Sequence, residues 1–386
     1  MNADDHDDYL ASPRRRGLLR AAPGSMLWAL AGGLAGCANV VSAQPLAGGP
    51  PQVDQLAVRV VTDSYHHAFE PTRRLRDLQL QRYAFGLSRS GGAPRTLQNE
   101  WGLSLHVEST RDSERRQVLI DFGYTPETLN NNLELLGIDP AQLDALVLSH
   151  GHYDHFGGLV GFLRRHQARL RPDLPFVLGG EECFCTREAG VGDAAGFFGA
   201  LDRDAIRAAR LRIEFAERPS LIAGHGFSTG RIPADSFERV LAPTRMAVGL
   251  KDGIGCAPEG LPEAKRGITT MIPDDFQHEQ ATVYHVKGKG LVVMTSCGHR
   301  GIVNSVAAAR QVSGVQKVHA VLGGFHLAPH PVEYQRQTAE ALKSIEPDWL
   351  IPMHCTGEAF IGMAQQIFGD RMVRSSTGTR LVFGST

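Results

Sequence analysis

Short apolar runs recur along this chain, and several stop at glycine and ionisable residues rather than at an ordinary polar turn. Residues 55–62 alternate and then run apolar, predicting a strand that ends at Asp63-Ser64-Tyr65-His66-His67. Residues 102–108 and 116–123 predict the next two strands, and 125–137 a helix opened by Thr125 or Pro126 and closed by Gly137. The strand that follows runs from Leu143 into Ser149 and stops at His150-Gly151-His152-Tyr153-Asp154-His155-Phe156-Gly157-Gly158. From Gly158 to about Pro273 the pattern loosens. A helix over 159–169, a strand over 175–178 and a helix over 202–209 are expected, with loops elsewhere. The last third is periodic again. Residues 280–286 and 290–295 predict a hairpin, 302–312 a helix, 317–322 a strand, 331–345 a helix and 348–352 a strand. This order is α/β, a class in which ligands gather at strand ends.

The chemistry sits where the apolar runs stop. Residues two apart in extended backbone project to one side, so His150 and His152 can grip one cation, and Asp154 and His155, just past the bend, can grip a second. Burying so many ionisable groups at the end of an apolar strand is costly without a charge to organise them. Three later strands repeat the pattern, ending in His299, His326 and His354 beside glycine or cysteine. Asp121, closing an apolar strand before a glycine, points to the same edge, and Asp121 and Asp63 are candidate acceptors for imidazole N–H groups. Tyr284, His285, His319 and His330 fall on strand bodies or surfaces and are read as structural.

Composition narrows the partners. A net charge of −1 over 386 residues, with no long basic run beyond the N-terminus, gives nucleic-acid binding no electrostatic support. A small-molecule substrate is expected instead. Residues 1–43 read as an export signal: Arg15-Arg16 lead Leu18-Leu19-Arg20 into an apolar Gly/Ala-rich stretch, the order of a twin-arginine signal. Leu34-Ala35-Gly36-Cys37 has the form of a lipoprotein processing box, and Val41-Ser42-Ala43 that of an ordinary cleavage site. The first predicts lipidation at Cys37, the only membrane attachment expected; the second predicts a free periplasmic product. Both place the domain in an oxidising compartment, where Cys183 or Cys185 is positioned to bridge to Cys256. Residues 44–57 read as a linker, and 58–386 as a single catalytic domain with a variable insertion around 160–275.

The assembled residues resemble the metallo-β-lactamase superfamily, whose signature His-x-His-x-Asp-His is met by His150, His152, Asp154 and His155. Within it the chain is most similar to the branch usually named after 7,8-dihydropterin-6-methyl-4-(ribofuranosyl)aminobenzene-5′-phosphate synthase. The stretches that carry this are 148–155, 295–304, 323–327, 352–357 and 377–381. The resemblance implies an αββα sandwich with a dinuclear centre of two divalent ions, zinc first, with iron and manganese as alternatives. It implies that His150 and His152 hold one metal, that Asp154, His155 and His354 hold the other, and that His299 fills the remaining or bridging position. Cys297 stands where relatives place a bridging aspartate or cysteine, and is a second-tier ligand. The chain departs from the branch at 277–280: His278 stands where an acidic residue is usual, leaving His278 or Glu279 as the extra ligand. Asp154 and His326 are the catalytic candidates, Asp154 to orient a nucleophile and His326 as acid, substrate anchor or further ligand. The expected activity is hydrolysis of a small ester, amide or phosphate. The alternatives are a transfer in which diphosphate leaves a pterin, and a non-catalytic metal-binding module.

Overall fold

The computed structural model describes residues 44–67, 69–83, 93–190, 192–241 and 244–384. The expected export signal, with its box at Cys37, lies outside the described residues. Two sheets face one another. One has nine described strands in the spatial order Arg212–Phe215, Pro175–Leu178, Ala145–Leu148, Glu114–Ile120, Ser104–Arg111, Gln55–Thr62, Arg380–Gly384, Leu78–Gln81 and Arg73–Leu75. The other runs Ser220–Ile222, Gly226–Ser228, Thr282–Val286, Gly290–Thr295, Val318–Gly324 and Trp349–Met353, with Gln52–Val53 pairing alongside Thr282–Val286.

The period-two pattern explains the layering. Val118, Ile120, Ala145 and Val147 point inward and meet Val292, Met294, Ala320, Leu322 and Ile351 of the opposite sheet in one central core. The alternate residues Leu119, Leu146 and Leu148 point outward and are covered by Leu129, Leu133, Leu159 and Phe162 from the helices Pro126–Leu135 and Leu159–His166. Val283, Val293, Val321 and Leu350 do the same on the second sheet under Ile302–Ser313, Val332–Ile345 and Glu358–Phe368. The result is an αββα sandwich. Each fully buried Val, Leu, Ile or Phe adds about 1.5–3 kcal/mol of hydrophobic stabilisation. Strands buried on both faces read as continuous apolar runs, as Ala145–Leu148 does.

Two stretches differ from the sequence reading, and one alternative left open there is decided. The expected linker at 44–57 is built into the fold: Leu46 is buried against the second sheet's helices, and Val53 and Leu56 are buried between the sheets. The apolar spacing there is too short for its period to be read from the sequence. The middle stretch is not mainly loop. It forms a small sheet in the order Gly196–Phe197, Thr186–Ala189, Thr244–Ala247, Ile272–Pro273, and a hairpin of Gly249–Lys251 with Ile254–Cys256. Cys185, rather than Cys183, forms the disulfide to Cys256 and ties this stretch together. No helix among the described residues is long and apolar enough to cross a membrane.

Candidate metal centre

The parallel strands of both sheets end at one edge, so topology gathers residues far apart in sequence. Ile120 is followed by Asp121, Leu148 by Ser149 and His150, Gly324 by Phe325 and His326, and Met353 by His354. Asp121, His326 and His354 all have positive φ, at 57°, 48° and 49°. Left-handed backbone costs a non-glycine residue about 1–2 kcal/mol, and three such residues at one edge mark a place where orientation outweighs local comfort.

The side chains converge as two triads. The donor atoms of His150, His152 and His299 lie within 4.8 Å of one another, and so do those of Asp154, His155 and His354. Ring centroids of His150 and His152 are 4.8 Å apart, and His299 stands 4.9 and 4.7 Å from them. The His354 and His155 Nε2 atoms approach Asp154 Oδ2 to 3.2 and 3.5 Å. His150 and His155, 4.3 Å apart, bring the triads side by side. All six residues are buried. Yet His150 Nε2, His155 Nε2, Asp154 Oδ1 and both ring nitrogens of His299 and of His354 have no hydrogen-bond partner. Buried polar atoms are rarely left so, and a set of orphaned imidazole and carboxylate donors facing one space fits divalent cations.

The surrounding bonds turn the correct atoms inward. Asp121 accepts from Ser149 N at 2.8 Å, from Ser149 Oγ at 2.7 Å and from His155 Nδ1 at 2.7 Å. Because the one Ser149 hydroxyl proton goes to Asp121, His150 Nδ1–H must donate to Ser149 Oγ, 2.9 Å away. Both histidines therefore carry the proton on Nδ1 and offer Nε2 lone pairs. His152 is the reverse: its Nε2 meets Thr244 Oγ1 at 2.9 Å, which leaves Nδ1 for the first triad. His299 stacks on Phe276 at 3.9 Å, and Glu279 accepts the backbone N–H groups of His299 and Arg300 at 2.9 and 2.6 Å. His354 N–H donates to Asp63 Oδ1 at 3.1 Å, and Trp101 packs on its ring.

Burial, reinforced by neighbouring imidazoles, holds His150 and His299 well below the ordinary imidazole range. Burial likewise takes His152 down to about 3. Burial opposes ionisation of Asp154, but His155 and His354 overcome it and keep the carboxyl well below the usual carboxylate range. Neutral imidazoles are the forms that bind cations. In the second triad burial is outweighed: Asp154 and Asp121 raise His155, and Cys355 and Asp154 take His354 up to about 9, so a cation there displaces protons.

The second-tier candidates separate. Cys297 joins the ligand clusters, within reach of His150 and His155 on one side and His354 on the other. His326 clusters with Cys297 and His299, its ring 4.0 Å from His299 and its Nε2 buried without a partner. His278 stands outside these clusters. Its Nε2 accepts from Arg187 Nη2 at 3.0 Å and its Nδ1 faces Glu182 at 3.5 Å, so the guanidinium occupies the lone pair a cation would need. Glu279 supports His299 through backbone rather than offering a ligand oxygen. Arg187, fully buried, is a residue that sequence reasoning missed. It donates to Asp274 Oδ2 at 2.7 Å and lies directly behind the metal loop. A Cβ at Gly151 would stand 2.5 Å from its Nη1, which is why glycine separates His150 from His152. Thr244 and Ser149 were missed too; nothing in the pattern around Thr244 signals it.

Comparison with known proteins agrees with this fold. The profile of the metallo-β-lactamase superfamily matches residues 111–174, which hold the Asp121 strand and the His150–His155 loop. A solved metal-dependent hydrolase of the β-lactamase superfamily superposes with a TM-score of 0.59 at 22% identity, covering 84% of this chain and 98% of that one. The chain has the fold of the metallo-β-lactamase superfamily. Within it, the chain is similar to the 7,8-dihydropterin-6-methyl-4-(β-D-ribofuranosyl)-aminobenzene-5′-phosphate synthase of Methanocaldococcus jannaschii. The two are 26% identical over 288 residues, 74% of this chain and 90% of the relative. An uncharacterized protein of the same organism is 28% identical over 242 residues, 63% of this chain and 80% of that relative.

Proposed function

We propose that this protein is a hydrolase of a small ester, amide or phosphate, working with two divalent cations, zinc first with iron and manganese as alternatives. The observation that carries the reading is the pair of buried triads, His150/His152/His299 and Asp154/His155/His354, each with unpartnered donors directed into one shared space. Two cations held there supply Lewis acidity and acidify water toward neutral pH. The chain's own groups do the rest. Asp154 Oδ1, unpartnered, accepts a hydrogen bond from a nucleophilic water and orients it. His326 Nε2, clustered with Cys297 and His299, gives a proton to the leaving group or anchors the substrate.

A cavity of about 320 Å³ opens at His354 and is lined by Asp63, Tyr65, His67, Arg374 and Ser375 among others. Arg374 lines it in an ion pair with Glu358, and Asp63 adds a second carboxylate, so the wall is of mixed charge. Export by a twin-arginine signal into the periplasm, free or anchored through lipid at Cys37, completes the proposal, and the Cys185–Cys256 disulfide supports an oxidising compartment. His152→Ala and Asp154→Ala should each abolish cation-dependent turnover on a panel of ester, amide and phosphate substrates; full activity in either variant overturns the reading.

A second reading, a transferase releasing diphosphate from a pterin, is favoured by the similarity to the archaeal synthase along most of that protein's length. Diphosphate release from a pterin diphosphate, with no hydrolysis of the panel, would select it.

A further inference from the structure

Cys297 follows the strand Gly290–Thr295, and Cys355 follows Trp349–Met353. Val318–Gly324 runs between those two strands, so the thiols belong two strand spacings apart, about 10 Å. Their sulfurs are instead 3.1 Å apart. The cause lies at the end of the middle strand, where a Cβ on Gly324 would stand 2.9 Å from Cys355 Sγ. With hydrogen there, both loops fold over the strand end and the thiols meet. The backbone N–H of His326 donates to Cys355 Sγ at 3.2 Å, and Cys297 Sγ lies 3.4 Å from His326 Nδ1. Both cysteines are unbridged and buried. Cys297 also reaches donors of both triads.

We propose that Cys297 and Cys355 are a peroxide-oxidised dithiol whose closure to a disulfide withdraws the Cys297 sulfur from the metal centre and releases cations. The chemistry balances with a hydroperoxide as oxidant. One sulfur attacks the O–O bond, which breaks to give a sulfenic acid and an alcohol, or water from hydrogen peroxide. The other sulfur then attacks the sulfenic sulfur: the S–S bond forms, the S–O bond breaks, and the hydroxyl leaves as water with the thiol proton. Two electrons pass from the sulfurs to the peroxide. The sulfurs need to close by only about 1 Å, so the strands that carry them stay paired. The third unbridged cysteine among the described residues, Cys183, is buried away from this pair and serves as the internal control.

The test uses the full chain, stripped of metal and exposed to hydrogen peroxide, then alkylated and digested without reductant. A cross-linked peptide joining Cys297 to Cys355, lighter by two hydrogens and reopened by dithiothreitol, is expected. Zinc affinity, read by competition with a chelating dye, should fall at least about tenfold on oxidation and recover on reduction. Cys355→Ala and Cys355→Ser should each lose the peroxide-dependent fall in affinity. No cross-linked peptide in the folded wild type overturns the proposal, and so does a cross-link that leaves zinc affinity unchanged. Neither readout depends on which reaction the centre catalyses, so hydrolase and transferase readings stand or fall separately.

Discussion

Asp121→Asn probes the support of both triads with one atom. Asp121 is fully buried and accepts three hydrogen bonds, two of them at Oδ2 from Ser149 Oγ and His155 Nδ1. With an amide nitrogen in place of Oδ2, a donor faces both groups. His155 must then give up its Nδ1 proton and carry it on Nε2, the atom directed at the second triad. Ser149 Oγ must turn its proton away from residue 121 and toward His150 Nδ1, which drives His150 into the same wrong tautomer. Flipping the amide only moves the donor against Ser149 N–H. Hydrogen bonds to a charged acceptor contribute about 1.5–3 kcal/mol and neutral ones about 0.5–1.5, so the tautomers are biased by roughly 1–3 kcal/mol. That corresponds to a 10–100-fold loss of cation affinity, the usual range for such supporting groups. The assay is zinc binding by dye competition on folded protein. Asp121→Asn should weaken both cations, whereas Ser149→Ala, which removes a hydroxyl bonded to His150 alone among the ligands, should weaken one by about tenfold. Unchanged affinity in Asp121→Asn, with the fold intact by circular dichroism, would refute the tautomer argument.

Gly151→Ala places a methyl 2.5 Å from Arg187 Nη1 and 2.7 Å from the Cys183 carbonyl; the strain, about 1–3 kcal/mol, should appear as a lower melting temperature and weaker zinc binding though no ligand is changed. Replacing Cys185 and Cys256 by serine opens a 71-residue span and should cost about 2–4 kcal/mol in urea unfolding, with no loss if the bridge is absent in the mature protein. Phe162→Ala, emptying a fully buried site between helix and sheet, should cost about 3–5 kcal/mol in the same measurement. His106 tests pH dependence away from the centre: burial, only partly offset by Glu108 and Gln117, lowers its pKa to about 4. The unfolded chain then binds a proton below about pH 6.5 that the folded chain does not, so stability is full above that pH and falls as pH drops toward 4. Wild type should lose about 1.4 kcal/mol more than His106→Gln between pH 7.5 and pH 5.5, and equal losses would contradict the assignment.

How far the sequence carried this picture depended on whether a residue advertised its role locally. Apolar runs ending in histidine made the parallel strands and the cluster His150, His152, Asp154, His155, His299 and His354 legible, because burial on both faces writes a continuous apolar pattern and a ligand at its end stands out. Asp121 was legible for the same reason. The choice between His278 and Glu279 was left open because a motif comparison sees a histidine where an acid is usual but cannot see Arg187 occupying its lone pair. Arg187 and Thr244 lie in a stretch of short strands without period, and their roles arise only when the chain folds back on the metal loop. The same limit hid Leu46 and Val53, whose burial is decided by distant partners.

The central claim is tested most directly by elemental analysis of the folded protein loaded with zinc and desalted. Two zinc ions per chain are predicted for the wild type, with one lost in His299→Ala and the other in His354→Ala. A single ion per chain in the wild type, or two ions retained in both variants, would contradict the pair of triads on which the proposed function rests.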